Sequence, residues 1–170
     1  MKTKEQKSPQ TEKESIDYFL LKRLEKYIRD LGFKVNHPEK GVAQYTTGAI
    51  NGVALSVTMT QMEDNRCVIQ ASLGVRIPKE KEVETLRLIN LFCLNYHWDG
   101  VAIPSIEPAS NELIFRLLVE IYTPNDEVIG SSFNFLDRQI VDTMDCIRPL
   151  LEGTSDYDAV AKKYVDFLAH

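Results

Sequence analysis

A chain of 170 residues with 44% hydrophobic and 26% charged residues has the size and composition of one ordinary globular domain, able to bury a core without metals or disulfides. Its formal net charge of −5 argues against general nucleic-acid binding, which needs Lys and Arg gathered opposite phosphates. No apolar run approaches the roughly 20 residues of a membrane span, and the opening MKTKEQKSPQTEKES stays polar until Ile16, unlike a signal peptide.

The expected compartment is therefore the cytoplasm. Lys2, Lys4 and Lys7 cluster in a stretch that also holds Glu5, Glu12 and Glu14, and residues 1–11 read as a mobile tail ahead of one domain over 12–170. Thr11 with Glu14 fits a capping box. Ile16, Phe19, Leu20, Leu24, Tyr27, Ile28 and Leu31 then recur at helical spacing up to Gly32, a natural left-handed cap.

After the turn His37-Pro38-Glu39-Lys40-Gly41 a weak strand runs near Val42 to Thr46, and a better one from Val53 to Thr60, where Val53, Leu55, Val57 and Met59 alternate with smaller and polar residues. Glu63-Asp64-Asn65 makes a hairpin turn into Arg66 to Ile77 (RCVIQASLGVRI). There Cys67, Ile69, Ala71, Leu73, Val75 and Ile77 share one parity and mainly polar residues the other. That pattern predicts a long strand in an antiparallel sheet covered on one side.

Pro78 stops the strand and opens a second helix, with Val83, Leu86, Ile89, Phe92, Cys93 and Tyr96 as its stripe, widened by Leu88 and Leu91. Short and long strands follow at Val101 to Ile106 and Glu112 to Tyr122. In the longer one, Leu113, Phe115, Leu117, Val119 and Ile121 share one face, while Ile114, Leu118 and Tyr122 make the other unusually apolar. Ser131 or Ser132 is the expected cap of a third helix carrying Phe133, Leu136, Ile140, Val141, Met144, Ile147 and Leu151; Pro149 should end or kink it near Arg148. An appended C-terminal helix, within residues 154–170, is expected to start at Ser155 and to carry Tyr157, Val160, Ala161, Tyr164, Phe167 and Leu168.

The resulting fold class is α+β: an antiparallel sheet of about five strands with helices packed on it, in the order α-β-β-β-α-β-β-α plus the C-terminal helix. The first and third helices are expected on the core, with the second free to serve association. The face bearing Ile114, Leu118 and Tyr122 is a candidate dimer or partner surface unless the C-terminal helix folds over it. Trp98, before the Asp99-Gly100 turn, either packs over a sheet end or anchors a partner.

Reactive chemistry has little to build on. Cys67, Cys93 and Cys146 fall at apolar phases, without a close pair, and read as buried reduced thiols. Cys93, His97 and Asp99 are the sharpest constellation, since residues one helical turn apart can meet at a metal or form a thiolate–imidazole pair; the simpler reading is a core Cys and a His at a helix end. Phosphate-binding Gly motifs and a nucleophile elbow are missing, and Asp137, Asp142, Asp145 and Glu152 read as a solvated face. The expectation is of no catalytic, cofactor or metal site.

The run LRLINLFCLNYHWDGVAIPSIEPASNELIFRLLVEI, an apolar helix ending in Asn followed by a turn, a short strand and a longer alternating one, resembles class I type III secretion chaperones and the YbjN-like bacterial proteins. SSFNFLDRQIVDTMDCIRPLL resembles the family's C-terminal helix. This resemblance implies a type III secretion chaperone-like fold and a dimeric, non-enzymatic protein-binding or regulatory protein. A chaperone holding an extended segment of a partner is the alternative. The helix after Asp156 departs from the chaperone pattern and makes the YbjN-like branch the closer likeness.

Overall fold

The computed structural model describes residues 18–50, 53–63, 65–95, 102–122 and 124–168. These form α1 (Phe19–Asp30), β1 (Val42–Ile50), β2 (Val53–Glu63), β3 (Arg66–Arg76), α2 (Glu82–Asn95), β4 (Ile103–Glu107), β5 (Glu112–Glu120), α3 (Asp126–Leu151) and α4 (Tyr157–Leu168). The strands make one five-stranded antiparallel sheet in the order β1-β2-β3-β5-β4, so the fold is α+β as expected.

Strand β3 holds the register. Met59, Ile69 and Leu117 lie side by side across three strands, as do Val57, Ala71 and Phe115, and all six are buried. Leu20, Leu24 and Ile28 of α1, Leu136, Ile140 and Ile147 of α3, and residues of α2 and α4 pack on this face in one apolar core. Each large side chain so buried contributes about 1.5–3 kcal/mol. The opposite face is polar: Gln44 donates to Thr58 Oγ1 at 3.1 Å, and Arg116 donates to Gln70 Oε1 at 2.9 Å and to Glu107 at 3.1 Å.

Helix α1 starts at Phe19; the capping box and the tail 1–11 lie outside the described residues. Tyr18 at the N-cap offers no side-chain bond. The cap comes from the sheet instead: Gln61 Oε1 accepts from Leu21 N–H at 2.7 Å, and Gln61 Nε2 donates to the Arg66 carbonyl at 3.0 Å. Phe19 and Leu31 face solvent, and Leu21 takes a place on the buried side. Gly32 ends the helix with φ +91°, the left-handed cap expected of it. Tyr27 stacks on Phe133 of α3 with ring centroids 5.9 Å apart, Phe133 meets Tyr45 of β1 edge-on at 6.4 Å, and Tyr45 meets Phe33 at 5.7 Å. Gly130 permits the close approach of α1 to α3, since a Cβ there would lie 2.7 Å from Tyr27 Oη.

Helix α2 is not free. A 3₁₀ turn, Lys79–Lys81, takes up the residues after Pro78, and the helix then turns Leu88, Ile89 and Phe92 into the core while Val83 and Leu86 face outward. Apolar residues on most sides of this helix left its phase open to periodicity; packing against α3 and α4 sets it.

Helix α3 begins five residues before Ser131. Its cap is Asn125, whose side chain accepts from Val128 N–H at 2.9 Å, with Asp126 and Glu127 favourably placed in the first turn. Nor does Pro149 end it: proline so near the terminus removes one internal bond, and its carbonyl accepts from Thr154 and Ser155 N–H as the chain turns through Gly153 at φ +69°. Helix α4 is capped by Asp156, not Ser155, with Asp156 Oδ1 accepting from Ala159 N–H at 2.8 Å. It lies on α2 and α3: Phe92 and Tyr164 meet edge-on at 4.4 Å, and the Arg87 guanidinium sits 3.9 Å over the Tyr157 ring. No described helix is long and apolar enough to cross a membrane.

Candidate functional site

The three apolar residues on the outward parity of β5 do not form one patch. Ile114 is only 2% exposed, flanked across the strands by Ser72 and Ser105, and drops out of the candidate surface. Leu118 and Tyr122 are 51% and 77% exposed, and among the described residues the pairing of β4 with β5 ends at Ile103 opposite Arg116. The C-terminal helix does not fold over this face, since α4 docks on α2 and α3 and buries Val160 and Tyr164 there. Trp98 lies outside the described residues, as do the side chains of Phe167 and Leu168.

Beside this end of β5, a groove of about 610 Å³ opens between β5 and α3. Leu118, Val119 and Ile121 line it from the strand, Val128, Ser131 and Phe135 from the helix, and Glu120 and Glu127 add carboxylates. Leu118, Val128 and Phe135 keep a large part of their surface in water. Tyr122 donates to Glu120 Oε1 at 2.7 Å, and this hydrogen bond to the carboxylate, with its charge, holds the phenol above its ordinary pKa.

The backbone in the groove has a direction. Ile121 N–H donates to the Asn65 carbonyl at 2.9 Å on the β3 side, so by alternation Leu118 and Glu120 turn their N–H and C=O groups the other way. Among the described residues, no strand pairs with them there. Edge groups of this kind take a further extended chain. A second concavity, on the polar face of the sheet, is lined by Thr46, Ser56, Thr58, Gln70, Ser72 and Glu112, with Ser72 donating to Glu112 at 3.2 Å.

The cysteines divide. Cys67 is buried as expected, Cys146 is half-buried, and Cys93 is exposed, because α2 presents that side to solvent. Burial pushes all three thiols up, Cys67 to about 12, whereas a nucleophilic Cys needs a lowered pKa. His97 and Asp99, the proposed partners of Cys93, lie outside the described residues. Among the described residues no three His, Cys, Asp or Glu side chains gather to hold a metal, and His37 sits beside Glu25, with Nε2 3.3 Å from its carboxylate.

Periodicity did not single out Val128 and Phe135. Val128 precedes the expected cap, and Phe135 lies off the core stripe, yet seven residues apart they share a face of α3. Gln61 and Gln139 were missed as well. Gln61 continues the inward parity of Leu55, Val57 and Met59, and Gln139, buried beside Ile140, accepts from Ala102 N–H at 2.6 Å and so fixes the approach to β4. No protein-family model and no curated protein matches this sequence.

Proposed function

We propose that the chain is a non-enzymatic protein-binding or regulatory protein of the YbjN-like kind, working in the cytoplasm as a homodimer. The observation that supports this is the groove between β5 and α3, where Leu118, Val128 and Phe135 leave apolar surface in water beside an unpaired stretch of described backbone. Such a groove binds by apolar area and backbone pairing, and needs no activated side chain. One feature favours a second reading, a type III secretion-like chaperone for a partner protein: the outward N–H and C=O groups of Leu118 and Glu120 suit an extended segment laid along β5.

Light scattering at micromolar concentration, together with recovery from native lysate, tests both on the wild type and on Leu118→Asp. The expected result is a wild-type dimer, or a protein held in stoichiometric amount, that is lost in Leu118→Asp while far-ultraviolet dichroism stays unchanged. A wild type that is monomeric and recovered alone overturns both readings.

A further inference from the structure

We draw no further inference here: the strongest candidate, the outward face of α2 on which Val83, Leu86 and Cys93 are exposed, carries nothing because nothing in the structure shows what covers it.

Discussion

Substitution of Gln61 by Leu nearly preserves the volume at the foot of α1 and deletes both hydrogen bonds of the amide. Leu21 N–H loses an acceptor at 2.7 Å and the Arg66 carbonyl loses a donor at 3.0 Å, around a side chain that is 7% exposed. Each of the two groups left unpaired costs about 1–3 kcal/mol and the new apolar burial returns roughly 1 kcal/mol, for a net loss of about 1–5 kcal/mol. For a chain of this length that lowers Tm by roughly 2–20 °C. Urea unfolding followed by far-ultraviolet dichroism is the assay, with the midpoint falling and the slope unchanged.

Gln61→Glu sharpens the test. A neutral carboxyl retains both an acceptor and a donor, and burial raises its folded-state pKa above the unfolded value. A raised acid is most stabilising below its unfolded pKa, so this variant is expected to approach wild type below about pH 4 and to fall away as pH rises through the folded pKa. A Gln61→Leu loss under about 0.5 kcal/mol, or a Gln61→Glu deficit independent of pH, would refute a capping role for the amide.

Gly130→Ala puts a Cβ 2.7 Å from Tyr27 Oη and is expected to lose about 1–3 kcal/mol despite the better helix former; adding Tyr27→Phe, which removes the crowded oxygen, should recover most of it in the same urea assay. Thr85 is fully buried and its hydroxyl has no partner among the described residues, so Thr85→Val should raise stability to urea unfolding by about 1 kcal/mol. The Cys67 thiol titrates near 9.0 when unfolded and near 12 when folded, so its contribution to stability is complete below pH 9 and drains away toward pH 12, at up to about 1.4 kcal/mol per pH unit. Cys67→Val should flatten that part of the pH profile. With a disulfide reagent at neutral pH, exposed Cys93 is expected to react first and Cys67 only on unfolding, as mass spectrometry of labelled peptides would show.

The sheet was largely legible because period-two alternation depends on little besides one buried face: the parity of Cys67 to Leu73 and of Leu113 to Val119 translates directly into burial. Helices were legible in existence and less so in phase. In α2 the excess of apolar residues made several stripes equivalent, and packing that buries Leu88, Ile89 and Phe92 distinguishes them. The start of α3 was misplaced because Ser131 and Ser132 are good caps in isolation, whereas Asn125 is the residue extended where the chain leaves β5. The candidate surface was half legible. Parity grouped Ile114 with Leu118, but parity does not say which position has a neighbour on both sides, and Ile114, between Ser72 and Ser105, is buried where Leu118 is exposed.

The ring series Phe33, Tyr45, Phe133 and Tyr27 joins the loop after α1, an edge strand, α3 and α1 itself. Coupled aromatic transitions report through near-ultraviolet circular dichroism whether side chains are held in a fixed arrangement. The protein therefore carries its own optical gauge of helix-to-sheet seating, made of side chains that do not themselves line the β5–α3 groove. Loss of that signal marks a damaged scaffold, and its persistence in a variant that no longer associates marks a change confined to the surface.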